Sequence, residues 1–122
     1  MTAMTQSKPI PKRGDVVLVL FPHVDLRSAK PRPALIVQAD NLQTGLPQVI
    51  VAMITSNIQR ANHPSRTFFK LSSQECSQSG LLTDSVVMTD NLATIAEHAV
   101  DRVIGYLPMT EIDTALRHTL SL

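Results

Sequence analysis

Cysteine is almost absent from this chain of 122 residues. With Cys76 alone, no intrachain disulfide can form, which excludes a secreted, disulfide-stapled scaffold. A thiolate zinc site is excluded on the same ground. Tryptophan is missing and only 3% of residues are aromatic, so a core must be built from aliphatic side chains. Base recognition by stacking would have only Phe21, Phe68, Phe69, Tyr106 or arginine planes to draw on. Charge of one sign is also lacking: 11 Lys/Arg against 10 Asp/Glu leave a formal net charge of +1. Whole-molecule attraction to a polyanion is therefore weak, and any anion site must be local. The longest apolar run, residues 16–22, falls far short of the roughly 20 residues that span a bilayer. Residues 1–12 are polar and contain proline, with no apolar stretch of the signal-peptide kind. These absences point to a cytoplasmic protein without a membrane partner. No HExxH, paired-histidine spacing or acidic cluster appears, so neither a catalytic metal nor another cofactor is expected. A Gly-rich phosphate loop, a serine nucleophile elbow and an RNP aromatic motif are missing too.

The length suits one domain with a real core. Residues 1–12 read as a flexible arm and residues 13–122 as a single domain. A continuous β-branched run at 16–21 predicts a strand buried on both faces. Further strands are predicted at 34–38, 49–54, 67–71, 85–88, 92–95 and 100–107, with Gly105 marking a bulge or a close backbone approach. The polar stretch 72–80 reads as a surface loop. After Pro108, apolar residues at Ile112, Leu116 and Leu120 recur every four positions, with Glu111 and Asp113 early and Arg117 and His118 late. That pattern predicts an amphipathic helix whose charges match its dipole, with His118 at its C-terminal cap. Strands do not alternate with long helices, so a small, strongly bent antiparallel barrel with one packed helix is the expected fold.

What is present, against this sparse background, is a cation at the mouth of one apolar strand and a hydroxyl pair at the end of the next. Arg32 stands between Pro31 and Pro33, and Thr55-Ser56 closes the run 49–54. The prolines fix their own φ and push Lys30 and Arg32 toward extended geometry. A planar guanidinium beside a hydroxyl suits a phosphate group. The alternative is that Arg32 covers the rim with its stem while Thr55 merely ends a strand. His23 and Asp25, in the loop before Arg32, are candidates for general acid and base, or a solvated loop pair. Asp84 and Asp90 flank the strand at 85–88; such acids commonly cap turns, and Asp90 is a further candidate base or orienting group. Lys12, Arg13, Arg27, Lys30, Arg60 and Arg66 lie in loops or at strand ends, where they can form a basic rim to a groove also bordered by Asn57 and Ser56.

Four anchors occur in order: Arg13-Gly14-Asp15-Val16; residues 32–38, beginning Arg32-Pro33-Ala34; residues 51–56, ending Ile54-Thr55-Ser56; and Gly80-Leu81 through Asp84-Ser85-Val86-Val87 to Thr94-Ile95 and Ile104-Gly105. In this order and spacing the chain resembles the MazF/PemK family of toxin endoribonucleases from type II toxin–antitoxin modules. The resemblance implies an SH3-like barrel that forms a two-fold dimer. It also implies metal-independent cleavage of single-stranded RNA at short motifs, and a cognate antitoxin that blocks the groove. It makes Arg32 and Thr55 the catalytic pair, with Lys30, Arg27, Ser56, Asn57, Arg60 and Arg66 along the RNA path. The chain departs from the family pattern in two places. The stretch 25–30 lacks the Glu-Gln pair of many members, and Met88 stands where a subset carries arginine. Two other functions stay open on the same fold: a non-catalytic toxin that binds a protein such as DNA gyrase through its C-terminal helix, and a degenerate member that binds antitoxin or RNA without cutting.

Overall fold

In the computed structural model, the described residues are 11–20 and 30–122. Most of the expected N-terminal arm, together with His23, Asp25 and Arg27, lies outside them. Six strands form one antiparallel sheet in the order β4-β5-β3-β2-β1-β6. They are β1 (Asp15–Leu20), β2 (Pro31–Ile36), β3 (Gln48–Thr55), β4 (Arg66–Phe69), β5 (Ser85–Ala96) and β6 (Val100–Tyr106), followed by helix α1 (Thr110–Leu120). The fold is the expected one: mainly β, barrel-like, with one C-terminal helix.

The central strands bury both faces, as the β-branched run in β1 predicts. Val16, Leu35, Ala52, Ile54 and Val87 join Ile112 of α1 in one apolar cluster. Val17, Val19, Ala34, Ile36, Val49, Val51 and Val100 form a second cluster from the alternate positions. Alternation along each strand therefore sorts residues into a helix side and an opposite side.

The two expected strands at 85–88 and 92–95 are one strand with a break in its pairing. Met53 pairs with Met88 and Ala52 with Leu92, so Thr89, Asp90 and Asn91 bulge out between them. Buried Thr89 fixes the bulge: its N–H and Oγ1 both donate to the Ser65 carbonyl, at 2.9 and 2.6 Å. Its Oγ1 also lies 2.7 Å from Thr119 Oγ1 of the helix.

The stretch 72–80 is the expected, mostly exposed loop, with two residues turned inward. Ser79 is fully buried and Cys76 nearly so. The polar side chains are spent on local bonds: Ser73 Oγ donates to the Lys70 carbonyl, Ser77 Oγ to that of Gln74 and Ser79 Oγ to that of Cys76. A loop that closes its own turns in this way can tuck Cys76 and Ser79 inward while most of its other residues stay exposed. It lies across β6, where Tyr106 N–H donates to the Gln78 carbonyl. Gly80 and Gly105 make that crossing. A Cβ on Gly80 would stand 2.2 Å from the Ile104 carbonyl oxygen, and one on Gly105 would stand 2.2 Å from that of Gln78. Gly105 also sits at a register shift, opposite Val16, while Val17 faces Val103. Both expectations for this glycine, a bulge and a close approach, hold.

The helix starts and ends near its predicted bounds and buries most of the predicted face, with Leu116 packed beside Ile112 against the sheet, but the last position departs. Ile112 and Ala115 are buried, whereas Leu120 is 51% exposed. Its C-terminal cap is Ser121 in the left-handed conformation, with N–H bonded to the Arg117 carbonyl. His118 is not the cap; its ring stands edge-on to His63, with centroids 6.2 Å apart.

Candidate active site

The prolines beside Arg32 set the geometry of the strand mouth. In an antiparallel strand, alternate residues direct their N–H and C=O groups to opposite neighbours. Val37 N–H donates to the Ile50 carbonyl of the β3 strand, so the odd-numbered residues of β2 face β3. Pro31 and Pro33 are odd-numbered and have no N–H to give. Pairing between β2 and β3 accordingly stops at Ala34 and Met53, while pairing with β1 continues to Pro31 opposite Leu20. Each step back along β2 matches a step forward along β3, so two steps past that last pair bring Arg32 level with Thr55. Both belong to the face opposite the helix, since Ala34, Ile36, Val49 and Val51 share their alternation. The prolines thus end the ladder two steps short of Arg32 and Thr55, which the continued register sets opposite each other.

Arg32 is exposed and forms no ion pair with another described residue. Thr55 is half-buried, and its Oγ1 accepts the Asn57 N–H at 3.1 Å. A hydroxyl with one acceptor site occupied still has its proton to donate. Asn57 in turn accepts the Gln59 N–H through Oδ1 and caps the short 3-10 turn Ile58–Ala61. Ser56, Asn57 and Arg60 are exposed on this connection, and Lys30 is exposed at the entry to β2.

Asp90 and Arg66 are committed to each other. Arg66 Nε and Nη2 donate to the two Asp90 oxygens at 3.2 and 2.7 Å. This hydrogen bonding holds the Asp90 carboxyl below the usual carboxylate range, with a smaller contribution from the nearby His63 ring. The same pairing raises the Arg66 guanidinium above its ordinary value. A carboxylate held this way is a poorer base than a free one. Arg66 Nη1 also donates to the Arg60 carbonyl at 3.3 Å. Opposite Arg66 on the neighbouring strand stands Met88, which is buried.

The expected basic rim is smaller than its sequence suggests. Arg13 serves the fold: Nε donates to the Val37 carbonyl at 3.0 Å and Nη2 to Asp113 of the helix at 2.7 Å. Asp84 caps a turn, as expected, by accepting the Leu71 N–H. An open groove lined by Pro64, Arg66, Phe68, Thr110 and Glu111 lies between β4 and the helix. Among the described residues, no group of three or more His, Cys, Asp or Glu side chains stands together. What sequence reasoning missed is the role of the proline spacing. Two prolines two positions apart in a central strand remove donors from one side only, and that signal is visible in the chain.

Residues 12–120 match the PemK-like, MazF-like toxin family of type II toxin–antitoxin systems. The chain belongs to this family. It is 32% identical over 117 residues to Endoribonuclease EndoA of Bacillus subtilis (strain 168), covering 93% of this chain and 97% of that one. Its fold is similar to that of an endoribonuclease in complex with its cognate antitoxin from Mycobacterial species. There the TM-score is 0.68 at 23% identity, over 93% of this chain and 97% of the other. It is also similar to a chain of the MazE-MazF (Form-II) crystal structure from Deinococcus radiodurans. That match has a TM-score of 0.70 at 16% identity, over 94% and 99% of the two chains. At such identities the two structures speak for the MazF fold. Of the four sequence anchors, the first and last serve the framework: Arg13 bonds to Asp113 of the helix, and Gly80 and Gly105 make the close crossing.

Proposed function

We propose that this MazF-family protein is a toxin endoribonuclease that cuts single-stranded RNA without a metal ion, and that its activity is held in check by a cognate antitoxin. The observation that supports the reading best is the placement of Arg32 and Thr55. The register of β2 and β3, carried two steps past the pairing that the prolines end, sets them opposite each other, with a guanidinium that forms no ion pair with another described residue and a hydroxyl whose proton is available. In the proposed reaction the ribose 2′-oxygen attacks the adjacent phosphorus as its proton leaves. The bond to the 5′-oxygen breaks, and that oxygen takes up a proton. The products are a 2′,3′-cyclic phosphate and a 5′-OH end. Arg32 stabilises the charge of the five-coordinate phosphorane; a guanidinium holds its proton too firmly to serve as the proton donor. Thr55 donates to a non-bridging oxygen. Asp90, locked to Arg66, is the least suited of the base candidates, which leaves His23 and Asp25 in the preceding loop.

The RNA path in this proposal includes Lys30, Ser56, Asn57 and Arg60, with two chains of a dimer placing their strand-end loops side by side. That doubling compensates for the small net charge of one chain. No described helix is long and apolar enough to cross a membrane, and the proposed site of action is the cytoplasm.

The test is incubation of the protein with a long, weakly structured RNA in EDTA, with mapping of the fragment ends, beside Arg32→Ala and Thr55→Ala. Discrete cuts with 5′-OH ends that vanish in both variants are expected. Uncut RNA, or cuts unchanged in both variants, would overturn the assignment and favour a protein-binding toxin.

A further inference from the structure

We propose that Asp90 is a positioning residue: through Arg66 it holds the connection after Thr55 in the shape that receives RNA. This rests on the endoribonuclease reading and adds to it the origin of the rigidity of the RNA-contacting segment.

The segment between Thr55 and Arg66 has almost no apolar anchorage of its own. Its short turn, Ile58–Ala61, contains no buried residue, and Ile58 is half exposed. Polar contacts carry its shape. At the upstream end, Thr55 Oγ1 accepts from Asn57 and Asn57 Oδ1 from Gln59. Within it, Arg60 N–H donates to the Asn57 carbonyl and His63 N–H to that of Ala61. Downstream, Ser65 N–H donates to His63 Nδ1, and the Ser65 carbonyl is held by Thr89. Between these ends, among the described residues, one side chain reaches back across the segment, the guanidinium of Arg66 on the Arg60 carbonyl. Arg66 is aimed there by its two bonds to Asp90. Asp90 is itself fixed, because it sits in the bulge that buried Thr89 pins beside it. A guanidinium bound on one edge by a carboxylate keeps its remaining donors in a set direction. The chain of contacts therefore runs from the rigid bulge to the exposed turn that carries Asn57 and Arg60.

Asp90 touches neither Arg32 nor Thr55 among the described contacts. Its loss should loosen the RNA-contacting segment while leaving the reacting groups in place. Asp90→Asn keeps the size and removes the charge. Arg66→Lys keeps a cation beside Asp90 but cannot serve both Asp90 and the Arg60 carbonyl with the same planar fork.

Three readouts test this on the full chain, with circular dichroism to show that each variant is folded. First, in both variants the amides of Arg60 and His63 should exchange faster with solvent than in the wild type. Second, affinity for a fluorescein-labelled, mixed-sequence RNA bearing 2′-fluoro groups throughout should fall by about two- to fivefold, the scale of an exposed ion pair. Third, KM for cleavable RNA should rise by a similar factor with kcat held and the pH profile unmoved. Unchanged exchange would overturn the proposal, and so would faster exchange with unchanged affinity. A collapse of kcat with loss of the acidic limb would make Asp90 a proton-transfer group and overturn it equally. A wild-type protein that fails to cut RNA sinks the endoribonuclease reading, while the exchange measurement still reports on the clamp by itself.

Discussion

Three glycines allow steric crowding and backbone strain to be separated in one protein. Gly45 has φ +80 and nothing within 4 Å of a built Cβ. Gly105 has no left-handed φ, but its Cβ would meet the Gln78 carbonyl oxygen at 2.2 Å and the Ser79 carbonyl carbon at 2.4 Å. Gly80 combines both conditions, with φ +73 and the Ile104 carbonyl oxygen at 2.2 Å. The alanine variant at Gly45 should lose about 1 kcal/mol, the cost of holding an L-residue in the left-handed region. At Gly105 the obstacles are backbone atoms that must retreat by about 1 Å, so a loss of about 2–3 kcal/mol is expected. At Gly80 both costs apply, giving about 3–5 kcal/mol. That is a large part of the 5–15 kcal/mol available to a typical domain. The double variant Gly80→Ala/Gly105→Ala should lose less than the two single losses together. Once one substitution has lifted segment 73–80 from β6, the other meets less resistance. Urea titration followed by circular dichroism measures all four. A Gly105→Ala midpoint indistinguishable from wild type, or a Gly45→Ala loss as large as that at Gly105, would refute the crossing argument.

Further predictions concern the helix, the ion pair and the hydroxyl. Ile112→Ala should cost about 3 kcal/mol, as expected for a fully buried isoleucine, whereas Leu120→Ala should stay within about 0.5 kcal/mol; urea midpoints decide which helix face carries the load. The depressed Asp90 pKa means its pairing stabilises the fold above the ordinary carboxylate value and that this contribution fades as pH falls through the lower folded value. Asp90→Asn should therefore narrow the stability difference between pH 7 and acid, a change confined to pH values below about 4. Thr55→Val should lower kcat by about 10²–10³, the loss of one transition-state donor, while Thr55→Ser should keep most of it; equal activity of the two would remove the hydroxyl from the proposed mechanism.

The fold was legible because its signals are local and periodic. The β-branched run of β1, the Gly105 irregularity and the helix after Pro108 each follow from nearest-neighbour chemistry. The break between the predicted strands at 85–88 and 92–95 was also seen, but a bulge and a loop have the same composition. Only pairing of Met53 with Met88 and Ala52 with Leu92 tells them apart. The loop 72–80 was legible as exposed, but the burial of Cys76 and Ser79 within it was not, because serine is polar by type while here its hydroxyls close turns on neighbouring carbonyls. For the helix, spacing by four pointed to Leu120, whereas contact with the sheet selected Ala115 instead. In the candidate site, Arg32 and Thr55 were visible as residue types. The commitment of Asp90 to Arg66 was not, since the two are 24 positions apart and meet only across β4 and β5.

Arg13 and Asp113 stand 100 positions apart and share one hydrogen-bonded ion pair. That contact, with the Arg13 bond to the Val37 carbonyl, converts an open chain into a loop fastened by salt rather than by a covalent link. The fastening has a symmetrical property: a cut that frees the first strand also slackens the helix, and removal of the helix leaves the guanidinium with one partner fewer. Tags or fusions at either end therefore act on one shared latch. High ionic strength, which weakens such a pair, should loosen the beginning and the end of the chain together.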